Sequence, residues 1–161
     1  MAKLLIVWHS KTGGSKQMAK AAVEGAQGEA EVCLRYAPDA ESNDLLSSDG
    51  YIFACPENLA SMSGVMKDFF DRCYYPVLSQ IEGRPYATMI CAGSDGEGAA
   101  RQIARIAMGW RLKPVAEPLI ICTHAQTAEV ILAPKVIGAG DLARCRDLGS
   151  LMAAGLAMGV F

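Results

Sequence analysis

Histidine is nearly absent from this 161-residue chain, and its six cysteines form no Cys-x-x-Cys pair. With only His9 and His124 as imidazole ligands, neither a structural zinc site nor a redox dithiol has a ligand set to draw on. No apolar run approaches the length needed to span a bilayer. The chain opens into a strand pattern after Met-Ala-Lys, without a secretory h-region and cleavage site. The expectation is a cytoplasmic protein with no membrane insertion. Charge of one sign is also scarce: a formal net charge of −2 and a pI near 5.7 give no basic field for nucleic acid and no strongly acidic surface for cationic partners. Two phosphate-binding signatures are missing too. No Gly-x-Gly-x-x-Gly follows the first strand pattern, which counts against a dinucleotide Rossmann site. Gly13-Gly14-Ser15-Lys16 lacks the earlier glycine of a Walker A loop and places its lysine after the hydroxyl residue.

What is present is a hydrophobic content of 52%, enough at this length for one domain over residues 1–161 with one core. Cys33, Cys55, Cys91 and Cys122 lie in or at the ends of apolar strand patterns, and Cys73 and Cys145 in helical ones. All six therefore read as reduced thiols used as small hydrophobes, in keeping with a reducing compartment. The most informative stretch is Leu4-Leu5-Ile6-Val7-Trp8-His9-Ser10-Lys11-Thr12-Gly13-Gly14-Ser15. Its apolar run lacks alternation, as in a strand buried on both faces. It ends in hydroxyls and glycines before a helical pattern carrying Met18, Ala19, Ala22, Val23 and Ala26. A strand, a tight loop and a helix start converge several unpaired N–H groups and the positive end of a helix dipole on one point, which suits a phosphate dianion. A plain capped βα turn is the alternative for the loop taken alone.

Further strand patterns cover residues 31–36, 51–55, 85–92 and 119–122. Helical patterns follow the first, third and fourth strands, the polar connection 38–49 has room for one turn around residues 44–46, and a last helix runs from about 141 to 157. Five strands alternating with helices predict an α/β three-layer sandwich around a parallel sheet. The order 2-1-3-4-5 puts a crevice at the carboxyl ends of strands one and three. The unusual loops after strands one, three and four then share one rim.

The pattern Ser-x-Thr-Gly-x-Ser at 10–15 resembles the FMN phosphate loop of flavodoxins and flavodoxin-like reductases. The segment Cys55-Pro56-Glu57-Asn58-Leu59-Ala60-Ser61-Met62-Ser63-Gly64, with the helix through Lys67, Phe69, Phe70, Asp71 and Arg72, looks like the corresponding part of flavodoxin-like NAD(P)H-dependent reductases. The resemblance implies a flavodoxin-like fold, FMN as cofactor and NADPH or NADH as co-substrate. By the same likeness Ser10, Lys11, Thr12, Gly13, Gly14 and Ser15 would hold the phosphate. Pro56, Glu57, Asn58, Leu59, Ala60, Ser61 and Met62 would line one side of the isoalloxazine, and Ala92, Gly93, Ser94, Asp95 and Gly96 its pyrimidine edge. Glu57 and Asn58 are the expected ring contacts, since neither has an evident capping task. Asp95 reads first as a cap for the following helix.

Neither ring loop contains Trp, Tyr or Phe, whereas electron-carrier flavodoxins usually sandwich the ring between aromatics and are strongly acidic. An open ring face suits hydride transfer between NAD(P)H and a small acceptor, a quinone or a free flavin. The phosphate loop differs from the Gly-Ser-x-Arg pattern of many NADPH-dependent FMN reductases, which argues against that branch. No catalytic residue is expected beyond the flavin; His124 could serve as a rim donor to a reduced quinone, against packing or a local hydrogen bond, which are also the simpler roles for Trp8 and His9. Met62, Met66 and Met152 read as core filler, and Lys16 and Lys20 as a solvated face, with a basic patch that could receive a nicotinamide nucleotide phosphate as the alternative. A non-enzymatic electron carrier docking on a redox protein, and a flavodoxin-fold regulator without FMN, remain as alternatives; a homodimer is compatible with all three.

Overall fold

Leu4, Leu5, Ile6 and Val7 are fully buried because they form the middle of a central parallel strand with helices on both of its faces. A computed structural model describes residues 1–161. In chain order it comprises β1 (Lys3–Trp8), α1 (Gly14–Ala26), β2 (Glu31–Tyr36), α2 (Ser42–Leu46), β3 (Gly50–Asn58), β4 (Ser61–Met62), α3 (Gly64–Val77), β5 (Pro85–Ala92), α4 (Glu97–Gly109), β6 (Lys113–Pro114), β7 (Leu119–Cys122), α5 (Ala128–Leu132) and α6 (Ala139–Met158). The main sheet is parallel in the order β2-β1-β3-β5-β7, which is the expected 2-1-3-4-5 arrangement. Its outer strand is broken: β6 pairs with Pro85 and Tyr86, and β7 resumes beside Met89–Ala92.

Period-2 alternation divides the core between the two faces. Leu5, Val7, Tyr51, Phe53 and Cys55 face α3 and α4, packing on Met66, Phe69, Phe70, Ile103 and Trp110. Leu4, Ile6, Ile52 and Ala54 face α1 and α6, packing on Met18, Ala22, Cys145 and Met152. Met62, Met66 and Met152 are core filler, as expected. All six cysteines are free thiols. No helix is long and apolar enough to cross a membrane.

Two segments differ from the sequence expectation. Residues 56–62 are not an open loop but a β-hairpin, in which Glu57 pairs with Met62 and Asn58 with Ser61. Its two-residue turn, Leu59 and Ala60, has φ of 52° and 63°. The second is α5, a short helix between the strand at 119–122 and the last helix, where no element is expected, started by Thr127, whose hydroxyl accepts the Val130 N–H at 3.3 Å. Both elements lie at the rim where the strands' carboxyl ends converge.

Candidate functional site

The β1–α1 loop is shaped by its own residues. The Gly13 N–H donates to Ser10 Oγ at 2.9 Å, and Gly13 caps α1 at φ 96°, a left-handed conformation that a β-carbon disfavours. Ser10 is therefore used in closing the loop. The N–H groups of Gly14, Ser15 and Lys16 open the helix and have no backbone acceptor, as the first N–H groups of any helix do. Ser15 Oγ is the one buried side-chain polar atom in the protein without a hydrogen-bond partner. Leaving a hydroxyl in that state costs about 1–3 kcal/mol. Thr12 faces the crevice, whereas Lys11 is exposed. Lys16 sits 5.7 Å over the Trp8 ring and Lys20 is exposed, so both belong to the solvated face.

On the other side the crevice is lined by Pro56, Glu57, Asn58, Ala92 and Gly93, all expected from sequence. Glu57 has a task the sequence did not reveal. Its carboxylate accepts the N–H groups of Gly96 at 2.9 Å and Ala99 at 3.0 Å, capping α4 from a neighbouring strand. The expectation that Glu57 is free for the ring is corrected accordingly. Asp95, read as that helix's cap, reaches only the Glu97 N–H at 3.4 Å, and with Ser94 it is exposed. Gly96 is buried with its N–H already engaged. Met62 belongs to the core and is 3% exposed, so its side chain lies beneath the hairpin instead of facing the crevice. Its N–H and the Ser61 hydroxyl both donate to Gln102 Oε1. Leu59 is fully exposed at the hairpin tip, with Ala60 beside it.

The structure adds Cys91, Thr123, Ala125, Ile131 and Lys135 to the crevice lining. The chain beyond β7 continues along β5, with N–H groups of Thr123 and His124 donating to Ala92 O and Gly93 O at 2.8 Å. His124 is thus exposed at the rim, where it was expected. Gln17 then clamps the same connection to the phosphate loop: its Nε2 donates to Gly13 O and Lys135 O, and its Oε1 accepts the Ile137 N–H at 3.0 Å. The Lys135 N–H closes the clamp on Thr12 O at 2.8 Å. A glutamine four residues after a glycine carries no sequence signal for this.

Burial pushes the Cys91 thiol up to about 11, with the Lys135 ammonium pulling the other way, and pushes Cys55 up to about 12. Neither is a nucleophile near neutral pH. His9 Nδ1 lies 2.8 Å from Ser63 Oγ, a hydrogen bond to a residue far along the chain and not the local one expected. The free volume between the crevice walls is about 60 Å³. A wider groove of about 510 Å³ runs along α6 past Leu119 and Arg144, at the opposite end of β7 from the carboxyl rim.

Unpaired amides, an orphaned buried hydroxyl and a facing threonine fit a phosphate group. Backbone at Gly93 and the small lining residues Pro56 and Ala92 fit the edge of a planar polar ring. A model of the NADPH-dependent FMN reductase family matches residues 35–126, more than half of the chain. The chain belongs to that family. Membership rests on the part of the chain from β3 to β7, ring-side segments included, and not on the phosphate loop, which lies outside the match, so the departure from Gly-Ser-x-Arg does not exclude it. A flavodoxin of Aquifex aeolicus is 32% identical over 108 residues, 65% of this chain and 56% of that protein. An NAD(P)H dehydrogenase (quinone) of Acidithiobacillus ferrooxidans is 30% identical over 94 residues, 45% and 47% of the two chains. The chain spans about half the length of these curated relatives. Among solved structures, a flavodoxin from the domain Archaea superposes with a TM-score of 0.77 at 20% identity, covering 96% of this chain and 98% of that one. The fold of this family member is flavodoxin-like, and the family implies FMN as the group its crevice would hold.

Proposed function

We propose that the protein binds FMN by its phosphate at residues 10–15 and acts as an NAD(P)H-dependent oxidoreductase that reduces a quinone or a free flavin. The observation that carries the proposal is the unpartnered, buried Ser15 hydroxyl beside the free N–H groups that open α1. Ser15, Thr12 and those amides would hold the phosphate, with Gly13 and Ser10 fixing the loop. Pro56, Asn58, Ala92 and Gly93 would border the ring, and Glu57 would support that side by holding α4 in place. Bound FMN would supply the hydride chemistry. No aromatic side chain lines the crevice, which supports an approachable ring face. The flavodoxin relative supports a second reading, electron carriage between proteins.

Titration with FMN and with riboflavin, followed by flavin fluorescence, tests the binding part. Charge-assisted hydrogen bonds are worth about 1.5–3 kcal/mol each, so FMN is expected to bind at least about tenfold more tightly than riboflavin. Ser15→Ala should lower FMN affinity and leave riboflavin affinity in place. Equal affinities for the two flavins would remove the loop from the site.

A further inference from the structure

Helix α5 lies over the crevice without being packed into the protein. None of its residues is buried, and Val130, Ile131 and Leu132 are 49%, 49% and 61% exposed, while Ile131 forms part of the crevice wall. Its end is held by one side chain. The Lys135 ammonium donates to the carbonyls of Val130 at 2.8 Å, Ile131 at 2.9 Å and Ala133 at 2.6 Å. All three of its donors are thereby spent on neutral acceptors, and Lys135 forms no ion pair. The charge is uncompensated although the residue is half-buried.

The backbone of Lys135 is also fastened to the phosphate cradle. The Lys135 N–H donates to Thr12 O and its carbonyl accepts from Gln17. Lys135 lines the crevice together with Thr12, and its charge acts on Cys91, whose Sγ lies beside Gly14, so the free amides of α1, the positive end of its dipole and the Lys135 charge act on one small region. The ammonium meets the α5 carbonyls as a charge meeting dipoles, whereas a phosphate oxygen carries negative charge and adds direct ion–ion attraction, so a phosphate oxygen outcompetes a carbonyl of α5. The crevice, at about 60 Å³, is also well below the roughly 300–1,000 Å³ usual for sites of drug-sized ligands. Of the elements that form its wall, α5 is the unpacked one.

We infer that Lys135 is the counter-charge for a phosphate monoester in the β1–α1 cradle, and that moving a donor from the α5 carbonyls to a phosphate oxygen unlatches α5. The inference rests on the FMN reading and adds a consequence to it: the phosphate both anchors the ligand and releases the wall that obstructs the ring. A ligand without phosphate cannot trigger the release.

Flavin fluorescence titrations of the full chain, wild type and variants, with FMN and riboflavin provide the test. Lys135→Gln is expected to raise the Kd for FMN about tenfold or more, while riboflavin binds as well as before or better, because the latch is already open. Lys135→Arg keeps the charge and recovers most of the FMN affinity. Thermal melting of each variant checks that it is folded. Equal losses for both flavins would make Lys135 a mere support of α5 and overturn the inference, as would an unchanged FMN affinity. A wild-type protein that binds FMN no more tightly than riboflavin would instead remove the phosphate cradle on which the inference stands.

Discussion

Two buried polar side chains flank the phosphate loop, and only one has a protein partner. Ser15 Oγ has none, whereas His9 is 8% exposed and meets Ser63 Oγ at 2.8 Å. Burial disfavours the imidazolium and holds the His9 pKa below its usual range. The unfolded chain therefore takes up a proton, at about pH 6.5 and below, that the native state resists. His9's contribution to stability is complete above the unfolded value and is lost as pH falls from there towards the lower, folded one. Urea midpoints should decline as pH falls through and below about 6.5, and His9→Gln should flatten that part of the profile while still offering Ser63 a hydrogen-bond partner. An identical slope in the variant would show that His9 titrates as it does in the unfolded chain.

At the scale of elements, the hairpin of β3 and β4 carries a conformational load at its tip. Leu59 and Ala60 both have left-handed φ, the signs of a type I′ turn, for which Asn-Gly is the favoured pair. Non-glycine residues held there cost about 1–3 kcal/mol each. The double variant Leu59→Asn, Ala60→Gly is expected to raise unfolding free energy by about 1 kcal/mol or more in denaturant titrations. A destabilised variant would mean that Leu59 makes a stabilising contact despite its full exposure. The same turn explains why the hairpin was not legible in the sequence: Leu-Ala gives no turn signal between two pairing runs. By contrast β1, its loop and α1 were legible because strand, hydroxyls, glycines and helix follow one another along the chain. Glu57 on α4 and Gln17 on Lys135 join residues 39 and 118 positions apart, and only the folded sheet brings those pairs together. Helix α5 escaped for another reason, since five residues show no helical period. Local order in the sequence thus revealed where the crevice lies, and long-range contacts decided which of its residues are free.

For the whole molecule, the question is what approaches the crevice from outside. A formal charge of −2 provides little electrostatic steering for either a cationic redox protein or an anionic nucleotide, so the lining has to decide. That lining contains no Trp, Tyr or Phe, and two exposed aliphatic side chains, Leu59 on the hairpin and Ile131 on α5, stand at the rim with His124. A bound FMN ring left uncovered there could be approached by a planar nicotinamide and, once that had left, by an oxidant, which would give ping-pong kinetics. FMN-loaded protein mixed with NADH or NADPH in a stopped-flow instrument should lose flavin absorbance rapidly and recover it on addition of a quinone. Leu59→Trp should slow that reduction more than it weakens FMN binding, because the tip is at the mouth of the crevice and far along the chain from the phosphate loop. If neither nicotinamide bleaches the flavin while a reductase protein does so readily, electron carriage replaces catalysis as the function. In that event Leu59→Trp should slow reduction by the protein partner instead, since the same mouth would then be the surface across which electrons arrive.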